Sequence, residues 1–228
     1  MTPEFLNGAV VVVVFVFSLV VHENAHGITA ERFGDPTARE MGRITMNPWP
    51  HVDLIGTLVM PIAAAFTQVP LIGWAKPVPV NPANLRNPVV HNAVVAAAGP
   101  ASNLLLATLA TLLWIVVGVT FQRIPGLAQS GARSLYFFNA LCYQLISINC
   151  LLAVFNLLPI PPLDGHWILM RYLPAGPRER LASIGQFGFL ILLALLWSGL
   201  LGRIIGPVIA LVRGAFQAAA VAGIRALS

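Results

Sequence analysis

The sequence predicts an all-α, polytopic membrane protein of about five or six membrane helices, with a re-entrant or extended Pro-rich segment among them. Three observations carry this. Hydrophobic residues make up 57% of the chain and charged residues only 9%, against about 25% charged in an ordinary soluble domain. The mean hydropathy is +0.82. The apolar residues also fall into runs of spanning length, about 20 residues each, separated by short Pro- and Gly-rich breaks. Disordered, collagen-like and disulfide-scaffold classes are excluded by the same composition. The 228 residues suit a single membrane-embedded domain over 1–228, with a core over about 5–172 and C-terminal helices over about 177–226.

The elements follow in order. The first apolar run is Phe5 to Val21, resuming from Ile28 to Ala30 after a polar interruption. Its Met-Thr-Pro-Glu start lacks the basic residues of a cleaved signal. Glu31 to Asp53 is polar and rich in Gly, Pro, Asn and Arg. Leu54 to Ile72 is moderately apolar but broken by Gly56, Pro61 and Pro70, and Gly73 to Pro88 reads as extended. Val89 to Phe121 predicts a long helix with Gly99-Pro100 inside it. Leu135 to Leu158 predicts another, stopped by Pro159-Ile160-Pro161-Pro162. The last two runs, Leu181 to Leu201 and Ile204 to about Ile224, are split at Gly202-Arg203.

The net charge of +5 does not point to nucleic acid, because the basic residues are scattered singly among loops rather than gathered in a stripe. That spacing suits topology-setting charge on one membrane face. Cys142 and Cys150 would lie about 12 Å apart along a helix axis, too far for a disulfide, so they are read as packing residues.

The chemistry begins at His22-Glu23-Asn24-Ala25-His26. Residues four apart share a helix face, so His22 and His26 can hold one metal ion from successive turns, with Glu23 placed as a general base. About 25 Å of apolar helix precedes His22, which puts three ionisable residues inside the membrane, where such groups are expensive and functional by default. A catalytic zinc takes three protein ligands and keeps one position open. Asp164 is the acidic residue that sits beside a second apolar helix and away from the Arg-rich loops. The prolines before it stop that helix, and Gly165 after it allows close backbone approach. Asp164 can also cap a helix starting at His166, and both roles can coexist. His51, His91 and His166 lie at loop or helix boundaries and are read as interfacial or structural.

The chain resembles the site-2 protease family of intramembrane zinc metalloproteases. The likeness rests on His22 to His26 in one membrane helix and on Asn156 to Gly165, which is similar to that family's N-x-x-P…D-G motif. Gly99-Pro100-Ala101-Ser102-Asn103 resembles its glycine-rich motif. Gly42-Arg43 to Pro48 and Gly73 to Asn81 resemble the short branch that lacks PDZ and CBS domains. The resemblance implies one zinc per chain on His22, His26 and Asp164, with Glu23 as acid/base, the same residues that the spacing singles out. It implies a membrane-spanning protein as substrate, cut within or next to its span, and a lipid bilayer as surroundings; a homo-oligomer is compatible with it. Asn103, in a small-residue stripe, either donates to the oxyanion or makes an interhelical hydrogen bond.

Metal assembly constrains topology. His26 and Asp164 lie at the exit ends of their helices, so both helices must run the same way across the bilayer and an odd number of crossings must separate them. Helix 89–121 supplies one, so 54–72 should not cross fully. Eight basic residues (Arg32, Arg39, Arg43, Lys76, Arg86, Arg171, Arg178 and Arg180) then share one face, and Arg123, Arg133 and Arg203 lie on the other. By the positive-inside rule the active site faces the cytoplasm of a bacterial-type cell membrane. A zinc- or proton-coupled transporter is the alternative that also places His, Asp and Glu at mid-membrane, but it calls for a polar path and often repeat halves, and no repeat is visible. Finally, Pro77 and Pro79 strip one edge of Trp74 to Val80 of donors, while Lys76, Val78 and Val80 keep theirs on the other. That edge is either a site for an unwound substrate added as a strand or part of a Pro-rich surface loop.

Overall fold

The computed structural model describes residues 3–59, 62, 75–124 and 131–227. These residues are helical or irregular, with no strand among them. The apolar runs become α1 (Pro3–Arg32), α3 (Pro88–Arg123), α4 (Ala132–Asn156) and α8 (Leu200–Leu227). Between them lie the short α2 (Thr37–Glu40), α5 (Asp164–Tyr172), α6 (Ala175–Ile184) and α7 (Gly188–Trp197). Among the described residues, five stretches are long and apolar enough to cross a membrane: Gly8–Arg32, Pro88–Arg123, Ser134–Asn156, Ala175–Trp197 and Leu200–Leu227. The chain is an integral membrane protein.

Caps and breakers explain the boundaries. Asn87 caps α3 by accepting from the Val90 amide, with Pro88 at the first helical position, where a missing N–H is harmless. Pro100 and Pro207 lie within α3 and α8, as prolines in membrane helices often do. The expected split at Gly202-Arg203 is displaced: both residues are inside α8, and the chain turns at Gly199, whose φ of +71° is the left-handed conformation that glycine adopts without a Cβ clash.

Long-range hydrogen bonds set the helix directions. Ser18, His22 and His26 of α1 meet Asn103, Asn103 and Val95 of α3, so these helices are antiparallel. Asn103 and Trp114 of α3 meet Asn149 and Asn139 of α4, again antiparallel. Thus α1 and α4 run the same way, as metal assembly requires. Ile115 packs on Gly223, Gly118 on Ile224, and the Arg123 guanidinium on the Leu227 carbonyl, so α8 runs parallel to α3 and antiparallel to α4. Residues 157–199 therefore begin and end at the same end of the bundle, and Ala175–Trp197 makes no net crossing. Gly188 returns to the Pro161 carbonyl. Arg203, expected on the far face, consequently sits at the end where α4 finishes. The segment 54–72 is described only at 54–59 and 62, so its expected re-entrant course lies outside the described residues for the rest.

Two buried clusters hold the bundle. Val14, Phe15 and Leu19 of α1 pack with Ile148 and Leu152 of α4 and with Ala75. Ala107 and Ala110 of α3 pack with Ile146 and Cys150 of α4, flanked by Val212 and Phe216 of α8. Cys142 and Cys150 are free and buried, as packing residues. The outward faces carry exposed Val13, Leu105 and Leu211, which in a bilayer contact lipid rather than water.

Candidate metal centre

The helical spacing of His22 and His26 brings their rings edge to face, with centroids 4.7 Å apart. Their Nε2 atoms are 3.0 Å apart. Asp164 meets both: Oδ2 lies 3.1 Å from His22 Nε2 and Oδ1 lies 3.3 Å from His26 Nε2. The residue comes to them from the first turn of α5, where Leu163 and not Asp164 stands at the N-cap. Gly165 allows that approach, since a Cβ there would stand 2.2 Å from the Leu157 carbonyl oxygen.

The opposite imidazole nitrogens are committed. His22 Nδ1 bonds Asn103 Oδ1 at 2.6 Å and His26 Nδ1 bonds the Val95 carbonyl at 2.7 Å. A carbonyl oxygen only accepts, so each Nδ1 carries a proton, and Nε2 is the atom through which each ring can bind a metal. Two imidazole Nε2 atoms and a carboxylate thus converge in a buried site, a donor set that a cation would stabilise. Bonds of 2.0–2.1 Å in a tetrahedral zinc site imply ligand–ligand separations of about 3.3–3.4 Å, close to those present here. These residues fit zinc, and they form the one group of three or more potential ligands found among the described residues.

Gly99 closes the wall behind them. A Cβ at that position would lie 2.5 Å from His22 Cε1 and from His26 Cε1 and Nε2. The remaining histidines are elsewhere: His51 is buried against the Thr45 carbonyl, His91 stacks on Phe33 and accepts from the Asn87 amide, and His166 bonds the Leu163 carbonyl.

Glu23, beside the cluster, receives the backbone N–H of Val78 on Oε2 at 2.7 Å. The segment carrying Val78 is tied down on both sides. Arg43, buried, donates to the Lys76 and Pro77 carbonyls at 2.7 and 3.1 Å, and the Lys76 amide donates to the His51 carbonyl at 2.9 Å. Asp35 receives the amide of Asn81 at 2.6 Å, the Thr37 hydroxyl at 2.5 Å and the Asn84 amide at 2.9 Å. Burial opposes ionisation of Asp35, but the donors from Thr37, Asn84 and Asn81 outweigh it and hold its carboxyl below the ordinary value. The edge expected to be open to a substrate strand is therefore engaged at two of its donors, Lys76 and Val78, because α1 and the 43–51 segment reach them first. Val80 is half-buried in the same irregular stretch, and Trp74 lies outside the described residues.

Asn103 is likewise committed. Its amide nitrogen donates to Asn149 Oδ1 at 2.9 Å, with a longer 3.5 Å contact to the Ser18 carbonyl. Of its two expected roles, this arrangement is the interhelical one, with a bond to His22 that sequence reasoning missed. Asn149, Ser18 and the Val95 carbonyl were also missed. Asn149 had a signal, a polar amide in the middle of an apolar run.

Comparison with known proteins finds a family and several relatives. The model of peptidase family M50 matches residues 116–197, which include Asp164. "Putative zinc metalloprotease YwhC" of Bacillus subtilis is 33% identical over 198 residues, covering 87% of this chain and 84% of that protein. "Putative zinc metalloprotease Rip2" is 30% identical over 190 residues in Mycolicibacterium smegmatis, covering 83% and 67%. The protein of that name in Mycobacterium tuberculosis is 31% identical over 207 residues, covering 85% and 69%. No solved structure matches with significance. With a relative of this identity aligned over most of both chains, and three potential metal ligands gathered inside a membrane bundle, the chain belongs to peptidase family M50, the site-2 proteases, and is a zinc metalloendopeptidase.

Proposed function

We propose that this enzyme hydrolyses peptide bonds within or beside a transmembrane segment of a partner protein, using one zinc ion held by His22, His26 and Asp164. The observation that carries the reading is the depth of the cluster. His22 lies ten residues before Arg32 at the end of α1, about 15 Å along the helix, so the donors sit below the level of the terminal arginine. Zinc at this position supplies a Lewis acid that polarises a carbonyl and acidifies water. Glu23 takes the proton of the attacking water and returns it to the leaving amine as the peptide bond breaks. The Val78 amide holds Glu23 Oε2 in one orientation for that transfer. A helical substrate has its amides already hydrogen-bonded, so its cut site must unwind to reach Glu23. The basic residues at the Asp164 end of the bundle, Arg203 now among them, favour a cytoplasmic active site.

The test is zinc content together with cleavage of single-span substrates by the purified protein. Glu23→Gln should keep about one zinc per chain, because the three ligands remain, and lose nearly all cleavage. His22→Ala, His26→Ala and Asp164→Ala should lose metal and activity together. Full cleavage by Glu23→Gln, or zinc retained after loss of both histidines, would overturn the assignment; cleavage confined to soluble peptides would remove the transmembrane substrate.

A further inference from the structure

A chain of side-chain amides runs from His22 into the interior of the bundle. His22 Nδ1–H donates to Asn103 Oδ1 at 2.6 Å, and the Asn103 amide donates to Asn149 Oδ1 at 2.9 Å. The Asn149 amide in turn donates to Ser18 Oγ at 2.9 Å and to the Leu145 carbonyl at 2.8 Å. Ser18, Asn103 and Asn149 are all fully buried, so water does not compete for these bonds.

The direction of every bond follows from the last one. A backbone carbonyl can only accept, so Leu145 requires the NH2 side of Asn149. That turns Asn149 Oδ1 toward Asn103, which must answer with its own NH2. Asn103 Oδ1 then faces His22, and the imidazole must carry its proton on Nδ1. The contact of the Asn103 amide with the Ser18 carbonyl pulls the same way, but at 3.5 Å it is beyond the usual hydrogen-bond range.

We propose that Asn149 is a positioning residue of the metal centre, acting through Asn103 to hold His22 in the tautomer whose Nε2 is free to bind the metal. The inference rests on the metal-site reading above and extends it one helix outward. His26 needs no relay, because the Val95 carbonyl accepts from its Nδ1 directly. At His22 the acceptor is an amide, which can present either an oxygen or an NH2 group, and Asn149 decides which. Removing Asn149 leaves Asn103 free to turn its NH2 toward His22, and that arrangement moves the imidazole proton onto Nε2, where it blocks coordination. Outer partners of metal-bound histidines are worth about 10–100-fold in metal affinity.

The experiment measures zinc dissociation constants by chelator competition in detergent for wild type, Asn149→Leu and the double variant Asn149→Leu/Asn103→Asp. The leucine should weaken zinc by about 10–100-fold. The added aspartate should recover most of that loss, because a carboxylate offers His22 an acceptor in either orientation. Unchanged affinity in Asn149→Leu would overturn the proposal, and so would a loss that Asn103→Asp leaves unrepaired, since that would mark Asn149 as a packing residue only. A reading that needs no folded variant is 15N NMR of the histidines in metal-free wild type: the proton of neutral His22 belongs on Nδ1, and finding it on Nε2 would overturn the relay. Wild type that binds no zinc would overturn the metal site itself and this inference with it, whereas normal zinc binding in both wild type and Asn149→Leu would overturn this inference alone.

Discussion

Gly99 illustrates how little space surrounds the two histidines. It sits in the middle of a helix, where glycine costs about 1 kcal/mol relative to alanine, and a Cβ would stand 2.5 Å from both rings, closer than any real contact. Pro100 follows it in the same helix, and a Cβ on the residue before a proline disfavours helical backbone, so Gly99→Ala gains the helix little and its main effect falls on the site. The variant should remain folded yet lose at least about tenfold in zinc affinity, no less than the loss of an outer partner of a metal-bound histidine costs, and cleavage should fall with it. Zinc titration beside thermal melting checks both halves; wild-type zinc affinity would mean that the rings can retreat without cost. His22, Glu23 and His26 were legible because helical spacing is local, and Asp164 because a lone acid beside an apolar helix needs a reason. Asn149 was not read from the sequence, because an amide inside a helix shows its direction only once its neighbours on other helices are known.

Among the elements, the irregular stretch Ala75–Val80 carries more function than its lack of regular structure suggests. It is held by Arg43, by the His51 carbonyl and, through Asn81, by Asp35, and it presents the Val78 amide to Glu23. Val78→Pro deletes that donor while leaving each of the three proposed metal ligands in place. Cleavage should fall by about tenfold or more, in keeping with the loss of one hydrogen bond to a charged group, with zinc content unchanged, whereas Val78→Ala should cleave at close to the wild-type rate. Equal activity of the proline and wild-type proteins would leave the amide with no role at Glu23. The pairing could not be deduced from the sequence. Alternating prolines show which edge lacks donors, but a partner 55 residues away in the chain is a matter of tertiary contact.

For the whole molecule, the helix directions make a labelling prediction. Cysteines introduced at Met41, which is exposed, and at Lys76, Arg178 and Arg203 should react with an impermeant reagent from one side of the membrane, and one at Arg123 or Arg225 from the other. Opposite labelling of positions 178 and 203 would show that Ala175–Trp197 crosses after all. Opposite labelling of 41 and 76 would show that 54–72 crosses, and the metal centre as proposed could not then assemble.

The sequence by itself determined the membrane class, the order of the long helices, and the four residues singled out for metal and proton chemistry. Hydrophobic run length and three-to-four-residue helical spacing are properties of neighbouring residues, and they survive in one dimension. The tertiary structure alone decided that Ala175–Trp197 turns back instead of crossing, that the Lys76 and Val78 amides are already engaged, and that His22 Nδ1 meets the side-chain oxygen of Asn103. Each of these depends on which group from a distant segment reaches a donor or acceptor first. Hydrogen-bond direction between packed helices has no periodic signature along the chain.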